Sequence, residues 1–327
     1  MKSKILELLK NTDSYISGQK LCENLGVSRT AVWKIINQLK EEGYVIDSVN
    51  NKGYKILSCP DILSESEIKS SLSLINADVL NKIIYLEETD STNTRAKLEA
   101  EKGAPDWTLV IADRQTGGKG RRGRGFTSPA GVGIFMTLIL KPEFLPTKAS
   151  MLTLISGMAV CQGIREKTNL KALIKWPNDI VVNGKKICGI LTEMSSEMEA
   201  INYIVTGIGI NVNNKEFPPD IADKATSIKF ETQKTFQRSD IIASVIKYFR
   251  NYYDIFLKTV DLSLLKNEYN SLMINTDKKV FVVQGDKSYE AVAKSIDNDG
   301  ELIIEKDGQV SRVLSGEVSV RGVYGYV

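Results

Sequence analysis

Nine consecutive residues, Gly117-Gly118-Lys119-Gly120-Arg121-Arg122-Gly123-Arg124-Gly125, hold five glycines and four cations. Glycine lets backbone N–H groups come close to a ligand, and lysine and arginine supply charge for a phosphate or a carboxylate. The spacing Gly118-x-Gly120-x-x-Gly123 matches a dinucleotide fingerprint, which requires a helix directly after the loop. Phe126-Thr127-Ser128-Pro129-Ala130-Gly131 follows instead, and Pro129 with Gly131 opposes a helix there. No Gly-Lys-Ser/Thr occurs, so the segment is not a P-loop. It reads as a phosphate-handling loop of another kind, or as a flexible basic loop that touches nothing.

Four further clusters carry polar chemistry. Lys175-Trp176-Pro177-Asn178-Asp179 brings a cation, an amide and a carboxylate together around a strand-breaking proline, although a plain surface turn has the same composition. Val182-Asn183-Gly184-Lys185 reads as a tight hairpin with a type I′ turn. Lys186 lies just past it, and strand alternation sends Lys185 and Lys186 to opposite faces. Asp90-Ser91-Thr92-Asn93 falls between a strand and a helix, where it can cap the helix or offer a polar edge to a neutral ligand. In Gly207-Ile208-Gly209-Ile210-Asn211-Val212, two glycines let something approach a strand backbone.

Composition narrows the chemistry. The chain of 327 residues has no histidine, which excludes Ser-His-Asp and Cys-His catalysis, H-E-x-x-H metal sites and a histidine base. Cys22, Cys59, Cys161 and Cys188 are scattered without a C-x-x-C pair, so they read as reduced thiols and not as a zinc site or disulfide frame. With 42% apolar and 25% charged residues the chain is an ordinary globular one, and its length suits two or three domains. No apolar run is long enough for a transmembrane helix, and the first ten residues lack a signal-peptide core, so a cytoplasmic location without membrane contact is expected. The net charge of +3 identifies no partner by itself.

The elements that must position these residues fall into three textures. First come a helix with Ile5, Leu6, Leu8 and Leu9, a helix capped by Ser17 and stopped by Gly26, and a helix from Arg29 to Glu42 capped by Ser28 and closed by Gly43. Val32, Ile35 and Leu39 form the apolar face of that third helix. A hairpin over Tyr44–Ile46 and Tyr54–Leu57 follows, turning at Asn50-Asn51-Lys52-Gly53. That order is a winged helix-turn-helix. Ser58-Cys59-Pro60-Asp61 reads as a linker and Ser64-x-x-Glu67 as a capping box. Next, strands over Lys82–Leu86, Trp107–Ala112, Gly133–Leu140, Leu173–Lys175, Ile180–Val182, Cys188–Glu193 and Tyr203–Asn211 mix with helices. The helices span Thr92–Glu101, Lys148–Lys167, Asp240–Thr259 and Leu262–Ser271. Strict alternation is lacking, so the class is α+β with a mixed α/β centre. Last, Val280–Val283, Tyr289–Ile296, Leu302–Glu305, Val310–Leu314 and Val318–Val323 are short strands between glycine turns, which suits a small SH3-like β-barrel.

Ser-Thr-Asn after a strand, then Gln-Thr-x-Gly-x-Gly-Arg, Lys-Trp-Pro-Asn-Asp, a lysine after a hairpin and Gly-Ile-Gly-Ile-Asn resemble, in that order, the biotin–protein ligase family. The winged helix in front and the barrel behind resemble its bacterial bifunctional type, which also represses transcription. The resemblance covers essentially the full chain. It implies a winged helix-turn-helix DNA-binding domain over 1–60, a class II synthetase-like ligase domain over 61–272 and an SH3-like domain over 273–327. It implies biotin and ATP as substrates, Mg2+, a biotin carboxyl carrier protein as acceptor (an acetyl-CoA carboxylase subunit), and operator DNA of biotin synthesis and transport genes. A homodimer promoted by biotinyl-AMP is implied as well.

The resemblance also assigns roles. Ser91, Thr92 and Asn93 contact the ureido ring, and Gln115 holds the ligand from the start of the loop. Lys119, Gly120 and Arg121 close the loop over biotin and the adenylate. Lys119 stands where the family often has arginine, which keeps the charge but loses the planar fork. Lys186 reaches the biotin carboxylate and the α-phosphate. Lys175, Asn178 and Asp179 serve the nucleotide, with Asp179 toward magnesium, and Asn211 lies near the adenylate. Lys186, Arg121 and Lys175 are the catalytic set.

The chemistry agrees with the composition. An ionised carboxylate attacks an α-phosphate without a general base, provided that the negative charges are brought together and stabilised. A chain without histidine can do that with lysine, arginine and magnesium. Transfer to a lysine amine needs a proton acceptor, which the sequence does not identify; Asp179 is one candidate. A loop so rich in glycine and arginine is expected to order with its ligand.

In the N-terminal domain, Ser28, Arg29, Thr30, Trp33, Lys34 and Asn37 form the DNA-reading side of the third helix. Lys20, Lys34, Lys52 and Lys55 are placed for phosphates. Residues 1–60 hold nine Lys/Arg against six Asp/Glu. Winged helices also bind proteins, so that use stays open. Three rivals remain: a biotin-responsive transcription factor without ligase activity, a lipoate or octanoyl transferase, whose motif usually contains histidine, and a nucleic-acid-processing enzyme, for which no carboxylate cluster is present.

Overall fold

The computed structural model describes residues 1–284, 287–315, 319–322 and 326. The chain divides into two compact units, residues 1–78 with 237–243, and residues 79–236 with 244–327.

The first unit begins with α1 (Lys2–Lys10), α2 (Gly18–Leu25) and α3 (Arg29–Glu41), then β1 (Val45–Val49), β2 (Gly53–Ser58) and α4 (Glu65–Leu74). Ser17 Oγ accepts from the Lys20 N–H at 3.1 Å, and Gly26 ends α2 in the left-handed region. Ser28 Oγ accepts from the Ala31 N–H and opens α3. Ile5, Leu6 and Leu9 pack with Leu21, Val32, Ile36 and Leu39 in one core. Ile36, not Ile35, continues the inner stripe of α3, because spacings of four and three keep Val32, Ile36 and Leu39 on one helical face. β1 and β2 pair antiparallel with Val49 opposite Gly53, forming the wing.

Two expectations for this unit change. Ser64 caps α4, but the capping box is not closed by Glu67. The Glu67 carboxylate is buried, accepting from Tyr44 Oη at 2.5 Å, from Ser239 Oγ at 3.1 Å and from the Lys10 ammonium. Asp61, read as linker, is tied down: its Oδ1 accepts from the Arg238 N–H at 2.9 Å and its Oδ2 from Arg238 Nε at 3.0 Å. A buried arginine needs such a partner, which is why the segment is not free chain.

The second unit contains β3 (Lys82–Thr89), α5 (Thr92–Glu101), β4 (Thr108–Gln115), β5 (Gly133–Leu140), α6 (Met151–Thr168), β6 (Leu173–Lys175), β7 (Asp179–Val182), β8 (Lys185–Glu197) and β9 (Ala200–Asn211). It continues with α7 (Ile228–Thr232), α8 (Arg238–Phe256), whose residues up to Ala243 group with the first unit, and α9 (Lys266–Leu272). The strands form one sheet in the order β3-β4-β5-β9-β8-β7-β6. β3 and β4 are parallel and the other pairs antiparallel. Every residue of β5 is buried, which explains its unbroken apolar run. α6 is buried on most of its surface and packs beside the sheet. β8 extends beyond Cys188–Glu193 at both ends, α9 starts four residues later than expected, and α7 carried no strong periodic signal.

Five antiparallel strands complete this unit: β10 (Lys278–Gln284), β11 (Lys287–Ile296), β12 (Leu302–Lys306), β13 (Gln309–Val313) and β14 (Ser319–Gly322), in the order β13-β12-β11-β10-β14. Val280, Val282, Ala293, Leu302 and Ile304 are buried in it. Of the strand expected over Val318–Val323, Val318 and Val323 lie outside the described residues, as do Gly285, Asp286 and Gly316 of the expected turns. The fold class is thus α+β, with a helix-turn-helix domain, a mixed α/β centre and an all-β C-terminal sheet consistent with an SH3-like fold.

Candidate active site

Ser91, Thr92 and Asn93 are buried at the N-terminus of α5. Ser91 makes no side-chain capping bond, so capping does not account for this cluster. The Thr92 N–H, one of the helix's unpaired first donors, points at Gln115 Oε1 at 2.8 Å, and Thr92 Oγ1 lies 3.0 Å from the same oxygen. Gln115 Nε2 donates to Ser128 Oγ at 2.9 Å. Thr137 Oγ1 donates to Asn93 Oδ1 at 2.7 Å. Asn93 Nδ2 donates to Glu193 Oε2 at 2.8 Å and to the Leu191 carbonyl at 3.2 Å. The two glycines in β9 are explained by close approach: a Cβ on Gly207 would lie 2.0 Å from Asn93 Oδ1, and one on Gly209 would lie 2.7 Å from the Phe126 ring.

The glycine-rich loop leaves β4 after Gln115 and closes on itself. The Gly120 N–H donates to the Arg124 carbonyl at 2.7 Å, and the Phe126 N–H donates to the Gly118 carbonyl at 2.9 Å. A single short turn over Arg121–Gly123 sits at its tip, with Arg122 at φ 57°. No helix follows; Ser128 instead bridges back to Gln115. Lys119 Nζ reaches Thr94 Oγ1 at 3.3 Å. Arg121 donates to Asn178 Oδ1 at 3.0 Å and to the Ser315 carbonyl. Burial, with Arg122 close by, loosens the Arg121 guanidinium's hold on its proton, and Asp179 works against that loss.

The charged end is built by the β6–β7–β8 turns. Asn183 and Gly184 both have positive φ, as the expected I′ hairpin needs. Lys186, just past it, pairs with Asp179 Oδ1 at 2.6 Å. Tyr326 Oη donates to Asp179 Oδ2 at 2.5 Å, and the Tyr326 ring lies 3.5 Å from the Lys175 ammonium. Asn211 Nδ2 is turned to the Thr226 carbonyl at 3.1 Å.

One cavity collects most of the residues singled out in the sequence. Ser91, Thr92, Asn93, Gln115, Lys119, Gly120, Arg121, Asn178 and Lys186 line it, with Phe126, Phe135 and the three-residue stretches 189–191 and 207–209. Lys175 and Asp179 stand behind this wall, joined to it through the Asp179–Lys186 pair, and Asn211 is not part of it. Polar and aromatic residues were also missed, among them Phe126, Phe135, Ser128, Thr137, Glu193 and Tyr326. Phe126 had a signal, as the one large apolar side chain directly after the glycine loop. Thr137, Glu193 and Tyr326 had none, because strand pairing and tertiary packing bring them in.

Among the described residues no group of three His, Cys, Asp or Glu stands ready to hold a metal ion. Magnesium keeps several waters and binds through one or two carboxylates plus substrate phosphates. Asp179 offers a single carboxylate, engaged by Lys186 and Tyr326, and nothing described forms a metal cage. No described helix is long and apolar enough to cross a membrane.

In the first unit, Ser28, Arg29, Thr30, Trp33 and Lys34 are exposed along the start of α3, and Asn37 is half-buried. Trp33 is 56% exposed. Arg29 donates to Gln19 Oε1 at 3.1 Å, and both line a groove that reaches Asn50 and Asn51 of the wing.

Residues 85–211 match the biotin/lipoate A/B protein ligase family, residues 2–55 an HTH domain, and residues 277–321 the biotin protein ligase C-terminal domain. The chain is 37% identical over 326 residues to the bifunctional ligase/repressor BirA of Bacillus subtilis, covering 98% of each protein. Against the BirA protein of Escherichia coli K12 it is 29% identical over 318 residues, covering 97% of this chain and 96% of that one. The biotin protein ligase from Aquifex aeolicus, solved in complex with biotin and ATP, superposes with a TM-score of 0.66 at 30% identity, over 74% of this chain and all of that one. Matched along nearly the whole length of such relatives, and carrying the helix-turn-helix, ligase and C-terminal parts in the same chain, the protein belongs to the bifunctional ligase/repressor branch of the biotin/lipoate A/B protein ligase family.

Proposed function

We propose that the chain is an ATP-dependent biotin–protein ligase that forms biotinyl-5′-AMP and passes biotin to one lysine of a biotin carboxyl carrier protein, an acetyl-CoA carboxylase subunit. Charged with biotinyl-AMP, it represses biotin synthesis and transport genes. The observation that carries the reading is a cavity with a neutral hydrogen-bonding end at Ser91, Thr92, Asn93 and Gln115 and a cationic end at Arg121 and Lys186. Biotin has the matching ends, a ureido ring and a carboxylate.

In the first step a biotin carboxylate oxygen bonds to the α-phosphorus, the bond to the bridging oxygen breaks, and pyrophosphate leaves with the electron pair. No proton moves. Lys186 and Arg121 hold the approaching negative groups together, and Lys175 behind them adds positive potential. Mg2+ carried by ATP, with Asp179 as its protein carboxylate, would offset phosphate charge. In the second step the carrier amine attacks the anhydride carbonyl, the C–O bond breaks and AMP leaves. Asp179 is the carboxylate at hand for the amine's proton. Lys119 and Gly120 cover the ligand with the rest of the loop, and Asn178 and Asn211 serve the nucleotide side.

The N-terminal part supplies the second function. Arg29, Thr30, Lys34 and Asn37 on α3 meet base edges and phosphates, with Ser28 and Trp33 beside them. One helix of this size reads a short half-site, so a homodimer on a palindromic operator follows. The working parts are residues 1–60 for DNA, 61–272 for ligation and 273–327 as the C-terminal domain, in a cytoplasmic protein.

The deciding experiment incubates the protein with biotin, ATP, Mg2+ and a biotin carrier domain and follows mass gain on one lysine, with Lys186→Ala and Arg121→Ala alongside. Biotin-dependent ATP–pyrophosphate exchange is measured in parallel. A protein that binds biotin but shows neither activity is a sensor without catalysis, and the ligase reading is then wrong.

A further inference from the structure

The Asn93 side chain is held in one of two nearly identical shapes. An amide's oxygen and nitrogen differ little in size, so its partners alone decide which way it points. Thr137, a hydroxyl, can satisfy either end. The deciding partners are the Leu191 carbonyl at 3.2 Å and Glu193 Oε2 at 2.8 Å, both acceptors, and both meet Nδ2. The Glu193 bond is the shorter and is charge-assisted, which makes it the stronger of the two. Glu193 is itself braced, because Lys97 Nζ lies 2.5 Å from its other oxygen. Neither Glu193 nor Lys97 lines the cavity, whereas Asn93 and Gly207 do.

The orientation has a consequence at the ligand wall. With Nδ2 drawn toward Glu193, Oδ1 lies over Gly207, where a Cβ would meet it at 2.0 Å. Oδ1 also takes the single Thr137 proton at 2.7 Å. Thr92 Oγ1 lies 2.9 Å from the Thr137 hydroxyl and donates its own proton to Gln115 Oε1 at 3.0 Å. One carboxylate thereby sets the donor and acceptor pattern of Asn93 and, through it, of Thr137.

We propose that Glu193, braced by Lys97, is a positioning residue for ligand recognition: it holds the Asn93 carbonyl oxygen in the cavity wall as an acceptor for a ring N–H of a cyclic urea. The proposal rests on the ligase reading and deepens it, naming what makes the neutral end selective. A plain surface ion pair between Lys97 and Glu193 would contribute little and would leave binding untouched.

The test uses the full-length protein, with biotin binding by calorimetry and biotin-dependent ATP–pyrophosphate exchange. Glu193→Met removes the acceptor, Glu193→Gln keeps one, and Lys97→Met removes only the brace. The expected result is a roughly tenfold rise in Kd and KM for biotin in Glu193→Met, the scale of one lost hydrogen bond. The ATP KM and the rate at saturating biotin should stay within about twofold, and Glu193→Gln should recover most of the affinity. Lys97→Met should fall between wild type and Glu193→Met, and it serves as the reporter if Glu193→Met has a lowered melting temperature. Unchanged biotin binding in both Met variants overturns the proposal, as does an equal rise in the ATP KM. Absence of biotin-dependent exchange in the wild type would instead reject the ligase reading itself.

Discussion

The Lys186 ammonium and Asp179 Oδ1 are 2.6 Å apart, so the cation assigned to the ligand carboxylate is paired within the protein before any ligand arrives. In the proposed mechanism, biotin must compete with Asp179 for it. Asp179→Asn keeps the shape and removes the competing charge, so biotin alone should bind several-fold tighter by calorimetry. Adenylation should fall, because Asp179 is also assigned to the nucleotide side. Lys186→Ala should lower biotin-dependent pyrophosphate exchange by about 10²–10³-fold, the usual effect of deleting one donor aimed at developing charge. Equal biotin affinity in wild type and Asp179→Asn would mean that Lys186 does not meet the carboxylate.

Tyr326 touches two of the charged groups at once. Its hydroxyl holds Asp179, and its ring faces the Lys175 ammonium at 3.5 Å. Burial and the neighbouring Asp179 push its phenol well above the usual tyrosine range, so it stays a proton donor. Tyr326→Phe keeps the ring and loses the bond to Asp179, while Tyr326→Ala loses both. A cation–π contact contributes about 0.5–2 kcal/mol. The ATP KM should therefore rise a few-fold in Tyr326→Phe and further, by about tenfold in all, in Tyr326→Ala, with biotin binding unchanged. Steady-state pyrophosphate exchange at varied ATP measures both, and identical values for the two variants would show that the ring does nothing.

Legibility followed sequence distance. Periodicity and capping residues placed α1–α3 and the wing closely, because Ser17, Gly26 and Ser28 act on neighbours within a turn or so. The motif residues that line the cavity were readable in order, since each sits beside a turn or a glycine with its own local signal. The groups that hold them were not. Glu193 meets Asn93 across 100 positions and Tyr326 meets Asp179 across 147, and no pattern in a single chain marks such pairs. Glu67 shows the same limit from the other side. Its spacing from Ser64 suits a capping box, but three inward donors, from Lys10, Tyr44 and Ser239, outweigh one backbone N–H.

The DNA reading makes a separable prediction. Arg29 and Lys34 are exposed on α3 and belong to no part of the cavity. The double variant Arg29→Ala, Lys34→Ala should lose about 100-fold in affinity for promoter DNA of the biotin genes, and its binding should depend less steeply on salt, as expected when cations that meet DNA are removed. Biotin transfer to the carrier domain should be unaffected. Fluorescence anisotropy at two salt concentrations reads the first effect and mass spectrometry the second. Normal operator binding by the double variant would remove α3 from the recognition surface.

Glu193 also predicts a pH dependence whose sign is set by its surroundings. Burial works to raise its pKa, but the hydrogen bonds from Lys97 and Asn93, with Lys97 and Lys119 nearby, outweigh this and hold the carboxyl below its ordinary value of 4.5. Tyr203 of β9 is the other titratable group coupled to it, and its phenol, raised by burial and by Glu101, stays neutral over this range. A depressed carboxyl favours the fold above its unfolded value, and the contribution is lost as pH falls through the folded value. The Asn93 orientation should thus be insensitive to pH from 8 down to about 5 and weaken only below the ordinary carboxyl value of 4.5. Biotin's own carboxyl titrates in that window, so biotinamide, which has none, is the ligand to use. Its affinity should be flat across the upper range and fall below it in the wild type only to the level of Glu193→Gln, because the protonated acid, like the amide, keeps a carbonyl acceptor but loses the charge, while Glu193→Gln should show no fall as long as circular dichroism reports the folded state. A matching acid loss in Glu193→Gln would assign the effect to another group.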